Sequence, residues 1–299
     1  MKLIKPSFEI WEQPAGLEGV YKQIERVGRV CYKSEDKITE DSAKPFVDRM
    51  IKSGHGAMLE HGTVYLAIPV HSASDSPHDI VYNKYTQGKR VYTHGHEGFD
   101  AITTNYRVLI ENDWLNLLQY RCEPTDDHER RITVHFVCDR GVSHEFVRHR
   151  VMSFAQESTR YCNYSKDKFG NELTFIIPCW LDIPTGQYQY WDGDWCDINK
   201  MKVQLPEGEH KDIDAFLWTL SNAEMQYTLL INSGWKPQEA RAVLPNSLKT
   251  ELVVTGFISD WNHFFDLRAR GTTGAPHPQA KELAEPLMKE FIARKYINN

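Results

Sequence analysis

The chain has 299 residues, 41% of them hydrophobic and 25% charged, with a formal net charge of -6 at pH 7. That composition belongs to an ordinary globular protein of one large domain or two small ones. It excludes a nucleic-acid-binding polycation, so any attraction to anions has to come from local basic clusters. The first sixteen residues place charge and proline where a signal peptide needs an apolar core. No apolar run approaches the ~20 residues that span a bilayer. The expectation is a cytoplasmic protein with no membrane and no nucleic-acid partner. Six cysteines, at 31, 122, 138, 162, 179 and 196, form no Cys-x-x-Cys pair and are expected to be reduced thiols.

Residues 17 to 32 read as a helix, with Val20, Ile24, Val27 and Cys31 at helical period. A second helix runs from Ser42 to about Lys52, with Pro45 in its first turn and Gly54 past its end. Thr63 to Ile68 reads as a strand. Residues 71 to 100 are rich in Ser, Asp, His and Gly, and suggest an insertion with a hairpin around Arg90 to Tyr92. Ala101 to Ile110 reads as a strand, Asn112 to Tyr120 as a short helix, and 123 to 129 as a loop. Ile132 to Cys138 alternates as a strand does. Gly141 then turns the chain, and Ser143 is placed to cap a short helix ending near Arg150. Cys162 to Ser165 suits a half-buried strand, and 181 to 210 a surface loop. Asp212 to Ser233 has the clearest helical face, formed by Ile213, Phe216, Leu220, Ala223, Tyr227 and Leu230, with Gly234 after it. Pro237 opens a helix that stops before Pro245, Lys249 to Ile258 reads as a strand, Ser259 caps Asp260 to Arg268, and Pro278 opens a last helix to about Tyr296. Together these predict one α+β domain over 1 to 299, a multi-stranded sheet packed with helices.

The segment with the most chemistry is Arg148-His149-Arg150-Val151-Met152-Ser153-Phe154-Ala155-Gln156-Glu157-Ser158-Thr159-Arg160. Arginine presents a planar fork of donors that matches phosphate and carboxylate oxygens, and serine hydroxyls with loop amides can complete a phosphate cradle. A polyanionic ligand is therefore expected here. A solvated basic helix end is the plain alternative. The apolar neighbours Phe146, Val147 and Met152 argue against a purely polar face.

This segment resembles the signature of the flavin-dependent thymidylate synthases, Arg-His-Arg-x-x-Ser-x-Asn-Glu-x-Ser-x-Arg. Arg148, His149, Arg150, Ser153, Ser158 and Arg160 match at the right spacing, while Ala155 stands for Asn and Gln156 for Glu. Three further blocks resemble the family in its order. Gly54-His55-Gly56-Ala57-Met58-Leu59-Glu60-His61 is similar to its Gly-His segment, with Ala57 in place of a hydroxyl residue. Glu239 to Pro245 is similar to its Glu-x-Ala-Arg-x-x-Leu-Pro segment, and Asn262-His263-Phe264-Phe265-Asp266-Leu267-Arg268 to its Phe-x-x-Leu-Arg segment. The stretch from 71 to 130 is expanded relative to short family members.

The resemblance implies reductive methylation of dUMP to dTMP, with methylenetetrahydrofolate as one-carbon donor and FAD reduced by NADPH. It assigns His55, Ala57, Arg148, His149, Arg150, Gln156 and His263 to the flavin. It assigns Glu145, Arg148, Gln156, Glu157, Ser158, Thr159, Arg160, Arg241 and Arg268 to the nucleotide. Glu145 stands where some relatives carry a nucleotide-binding Gln. Arg268 takes the catalytic role, stabilising negative charge on the pyrimidine as C5 becomes nucleophilic. The family builds each active site from several chains, which implies a homotetramer.

Other readings compete. A pyrimidine nucleotide hydroxymethylase would share the flavin and most of the site. A noncatalytic nucleotide- or RNA-binding protein would use the basic cluster without flavin. Thirteen histidines invite a metal site at His94 and His96 or at His55 and His61, but none lies at a familiar zinc spacing. Pro178-Cys179-Trp180 shares two residues with the nucleophile context of the cysteine-dependent thymidylate synthases, and a buried inert thiol is the expectation there.

Overall fold

The computed structural model describes every residue except 73–74, 95–96, 167–168, 207–210 and 299. Strands β1 (Lys2–Ile4) and β2 (Ser7–Trp11) lead into helix α1 (Gly16–Tyr32), α2 (Ala43–Lys52) and the single turn α3 (Gly56–Leu59). Next come β3 (Thr63–Val70), β4 (Gln87–His94), β5 (Glu97–Asn105) and α4 (Tyr106–Glu111). Strand β6 (Arg131–Asp139) runs directly into α5 (Arg140–Phe146), and β7 (Ser153–Gln156) follows. Short strands β8 (Thr174–Ile176), β9 (Gly186–Gln187), β10 (Gln189–Trp191) and β11 (Asp194–Cys196) precede the long helix α6 (Lys211–Asn232) and the turn α7 (Pro237–Ala240). Strand β12 (Lys249–Phe257), α8 (Ile258–Phe265), a π-helical turn Asp266–Arg270 and α9 (Pro278–Ala293) complete the chain.

The expected α+β class is what the chain adopts, with its described strands divided among four sheets. The central one is antiparallel in the order β2-β6-β12-β7. Period-two alternation gives it two buried faces. On one, Val134 and Phe136 of β6 and Leu252 and Val254 of β12 pack against Phe146 of α5, Trp261, Phe264 and Phe265 of α8, and Leu287 and Phe291 of α9. On the other, Val253 and Ala155 meet Val27 and Val30 of α1. A second sheet, β3-β5-β4, packs under α1, α2 and α4. A third, β8-β1-β9, lies in the apolar cluster that holds α6.

Several local expectations are corrected. The strand expected over Ala101 to Ile110 ends at Asn105, whose side chain accepts from Val108 N at 3.1 Å and starts α4. Ser143 does not cap α5: Asp139 does, its Oδ1 accepting from Val142 N at 2.8 Å, and Gly141 lies inside the first turn. Ser259 likewise lies inside α8, which starts one residue earlier and is closed by Asp260 accepting from Phe257 N at 3.1 Å. Cys162 to Ser165 is irregular chain and turn rather than strand, since Cys162 N bonds back to Ser158 O at 2.9 Å and Ser165 to Asn163. The stretch 181 to 210, expected as surface loop, carries the β10–β11 hairpin and buries Tyr188 and Trp195. Arg90 to Tyr92 sits within β4, paired with β5 as the hairpin expectation required.

Candidate active site

Sheet order decides which motif residues meet. Strand β6 delivers α5, its neighbour β12 delivers α8, and β7 on the far side of β12 carries the end of the signature. The chain between α5 and β7 holds Arg148, His149 and Arg150. The π turn, a geometry frequent at functional sites, then sets Arg268 beside α5. Its Nη1 donates to Glu145 Oε2 at 2.5 Å, Nη2 to the Glu145 carbonyl at 2.9 Å, and Nε to His149 Nε2 at 3.3 Å. With Nε2 accepting, the proton of a neutral His149 ring sits on Nδ1.

His149 is buried against Phe264, with ring centroids 5.0 Å apart, and lies 5.9 Å from the His263 ring. Burial, then the Arg268 guanidinium and the neighbouring His263, push its pKa down to about 4. The imidazole is therefore neutral at neutral pH. His263 itself is exposed, as are Arg148 and Arg150, whose guanidinium groups have no hydrogen bond or ion pair to another described residue. The signature thus alternates: two arginines face outward and the histidine between them props Arg268.

Gln156 shares the α5 face of the central sheet. Its amide nitrogen donates to Ser143 Oγ at 2.8 Å and to Thr250 Oγ1 at 3.2 Å. Ser143 was expected as a cap and instead orients Gln156, a role that only the fold reveals. One residue on, Glu157 points to the other face and is buried. Its side chain is committed to Tyr164 OH at 2.9 Å and Lys249 Nζ at 2.7 Å. Any nucleotide contact from Glu157 therefore falls to its backbone. The Ser158 to Arg160 turn is pinned by Ser158 N to Cys31 O at 3.0 Å and by Arg160 N to Ser158 Oγ at 3.3 Å. Thr159 is buried and accepts from Arg241 Nη1 at 3.3 Å, while Arg160 and Arg241 are exposed.

His55 and Ala57 are exposed on the α2–α3 corner. His55 lines a groove of about 650 Å³ with Arg29, Tyr32, Phe46, Arg49 and Met50. No described hydrogen bond or ring contact joins it to the Arg268 corner or to the Ser158 turn. The assigned residues of one chain therefore form three groups: Glu145, His149, His263 and Arg268 in mutual contact; Ser158 to Arg160 with Arg241; and the His55 groove. Tyr32, missed in the sequence, links the last two, since its ring lies 5.1 Å from that of Tyr161.

The competing sites find little structure. Among the described residues no group of three or more His, Cys, Asp or Glu side chains could hold a metal ion. His96 and the His94 side chain lie outside those residues. His61 is fully buried, with Nδ1 2.8 Å from Thr255 Oγ1, and burial lowers its pKa to about 3. Cys179 is exposed rather than buried, and its thiol is pushed up by partial burial and by Glu282, the reverse of nucleophile activation. No described helix is long and apolar enough to cross a membrane.

The sequence profile of the family described as thymidylate synthase complementing protein matches residues 114–294. The flavin-dependent thymidylate synthase of Pyrococcus furiosus is 28% identical over 201 residues, 67% of this chain and 69% of that protein. The one from Corynebacterium aurimucosum is 23% identical over 282 residues, 93% of this chain and 78% of the other. Among solved structures, the UMP/dUMP methylase PolB of Streptomyces cacaoi bound with 5-Br dUMP aligns over 98% of this chain and 93% of its own, at 17% identity and a TM-score of 0.43. The profile covers more than half of the chain and spans the Arg148–Arg160, Arg241 and Arg268 blocks. The chain belongs to the thymidylate synthase complementing protein family, that of the flavin-dependent thymidylate synthases, and is an enzyme of that methyltransferase family.

Proposed function

We propose that this enzyme converts dUMP to dTMP, taking the one-carbon unit from methylenetetrahydrofolate and reducing equivalents from NADPH through FAD. The observation that carries this reading is the Arg268 corner. A guanidinium is held by Glu145 and a neutral His149 next to exposed Arg148 and Arg150, whose side chains have no partner among the described residues. The donor set fits the ligands. Arg148, Arg150, Arg160 and Arg241 are exposed and none is committed to a described carboxylate, as sites for a dinucleotide pyrophosphate and a nucleotide phosphate require.

FAD, once bound and reduced, supplies the hydride. Arg148, His149, Arg150, Gln156 and His263, with His55 and the backbone at Ala57, would hold it. Arg160, Ser158 and Arg241 would take the nucleotide phosphate, and Arg148 and Glu145 would face the nucleotide. Arg268 stabilises the negative charge that develops on the pyrimidine, which speeds reaction only to the extent that it exceeds ground-state binding. No described contact joins the His55 groove to the Arg268 corner within one chain, and we assign the complete site to a homotetramer in which neighbouring subunits bring them together.

The test is an absorbance spectrum and FAD titration of the purified protein. Product analysis with dUMP, methylenetetrahydrofolate and NADPH follows. Flavin binding with dTMP formation is expected. Absence of any flavin binding returns the chain to a noncatalytic nucleotide-binding role. 5-Hydroxymethyl product in place of dTMP makes it a hydroxymethylase.

A further inference from the structure

A line of charges runs beneath the Ser158 to Arg160 turn. Lys249 Nζ lies 2.7 Å from Glu157 Oε2 and 2.6 Å from Glu251 Oε1. Glu251 also accepts from Lys33 at 2.8 Å and has His135 Nε2 3.0 Å from its second oxygen. The Glu157 side chain has no exposure and that of Lys249 only 16%. Burial works against the Lys249 ammonium, but Glu157 and Glu251 outweigh it and raise its pKa. Burial likewise opposes the Glu251 carboxylate, and the His135 hydrogen bond with Lys249 and Lys33 overcomes it, holding the group well below the usual range.

A buried ion pair is a poor way to stabilise a core, since apolar side chains of similar shape do as well or better. What this one offers is a fixed position. Glu157 is the residue before Ser158. Its own N–H is tied to Glu251 O at 2.8 Å, and the next N–H to Cys31 O at 3.0 Å. Tyr164 OH closes the other Glu157 oxygen at 2.9 Å. The carboxylate is thus held from strand β12 and from the turn at Tyr164, and the backbone of the Ser158 turn follows it. Arg160 is left exposed, with the Tyr161 ring 5.4 Å from its guanidinium carbon.

We propose that Lys249 is a positioning residue for the nucleotide phosphate: through Glu157 it fixes the Ser158 to Arg160 turn in its phosphate-binding shape. This rests on the nucleotide reading above. If it holds, losing Lys249 weakens the grip on the phosphate and leaves the grip on base and sugar.

The experiment compares dUMP with deoxyuridine, which lacks the phosphate. It measures calorimetric affinities on the FAD-loaded enzyme together with steady-state KM and kcat for dUMP. Wild type is expected to prefer dUMP. Lys249→Met should lose about tenfold or more in dUMP affinity, with KM rising in proportion, the size of one charge-assisted contact. Its deoxyuridine affinity and its kcat at saturating dUMP should stay within about threefold. Lys249→Arg, which keeps the cation, should recover most of the loss. If Lys249→Met does not fold, the double variant Lys249→Met/Glu157→Gln strands no charge and should still lose phosphate preference. An unchanged preference for dUMP in these variants overturns the inference, as does an equal loss for both ligands, which marks a merely structural effect. A wild type that binds neither ligand removes the nucleotide reading, and this inference with it.

Discussion

Arg268 has five N–H donors and spends three of its contacts within the chain, on the side chain and carbonyl of Glu145 and on His149. Its remaining two donors have no partner among the described residues. Removing a group of this kind typically costs ~10²–10³ in rate. Arg268→Ala should fold and keep FAD, because Glu145 is 32% exposed and can be solvated when its partner is lost. It should lose most turnover. Arg268→Lys should recover only part, since a point charge cannot reproduce the fork. Single-turnover flavin oxidation with dUMP and folate makes the comparison, and an Arg268→Ala rate within a few-fold of wild type would rule out the catalytic role. The histidine beneath it predicts a pH dependence of stability. His149 is 6% exposed and held at about 4 when folded, against ~6.5 when unfolded. The unfolded chain therefore binds the proton first. The stabilisation is present above pH ~6.5 and is lost as pH falls from there toward 4, roughly 3 kcal/mol at full effect. His61, lowered to about 3 by burial, acts in the same direction. Urea midpoints at pH 7.5 and 5 should differ less in His149→Gln than in wild type. Equal slopes would mean that His149 titrates normally.

Helix α5 is the element on which the Arg268 corner depends. Its N-terminus is held by Asp139, with Oδ1 on Val142 N at 2.8 Å and Oδ2 accepting from Gln279 of α9 at 3.0 Å. Burial raises the pKa of this carboxyl, against hydrogen bonds from Val142 and its neighbours that lower it. A neutral acceptor is therefore well suited to the place. Asp139→Ala should cost about 1–2 kcal/mol, the usual price of a lost cap, and Asp139→Asn should recover most of it in thermal unfolding. Equal destabilisation by Asn and Ala would show that the charge matters rather than the cap. Asp139 also marks how far the sequence could be read. Helices α1, α2, α6 and α9 and strands β3, β6 and β12 were legible, because their apolar residues keep one period and Pro or Gly stands at several of their ends. The caps were not. Asp139 and Asn105 are good N-cap residues in plain view, but each follows a β-like run that a local reading extends or ends elsewhere. Pairings between distant segments were invisible for a different reason. Strand β1 lies parallel to β8, with Leu3 opposite Phe175, and nothing in either three-residue stretch specifies the other. The site follows the same division. Its outward arginines were readable from the signature, whereas the bond from Arg268 back to Glu145, 123 residues away, and the Lys249–Glu157 pair depend on which strands lie side by side.

At the scale of the whole molecule, the surface of α6 bears on the proposed tetramer. This helix is apolar on more than its buried side. Trp218, Met225 and Leu229 recur along one outward stripe at 42%, 56% and 56% exposure, and Trp235 just beyond its end is 47% exposed. Tyr190 of the β10–β11 hairpin packs against Trp218 at a 48° tilt with centroids 4.5 Å apart and extends the exposed apolar set, with Trp191 50% exposed beside it. Large exposed apolar side chains gathered on one helix face and the adjoining hairpin mark an interaction site more often than a solvated face. We assign it to contact between subunits of the proposed tetramer. A negative charge placed in the middle of such a contact is desolvated without a partner, which opposes association strongly. Met225→Glu/Leu229→Glu should therefore fold, because both positions are solvent-facing in one chain, and should run at a lower mass by light scattering than wild type. If neighbouring subunits complete the flavin site, the same variant should bind FAD more weakly and lose turnover, and both should return in part at high protein concentration. A variant that keeps the wild-type mass would place the subunit contact elsewhere. Wild-type protein that is fully active as a monomer at micromolar concentration would show that each chain completes its own site, and the His55 groove would then have to meet the Arg268 corner by a movement within the chain.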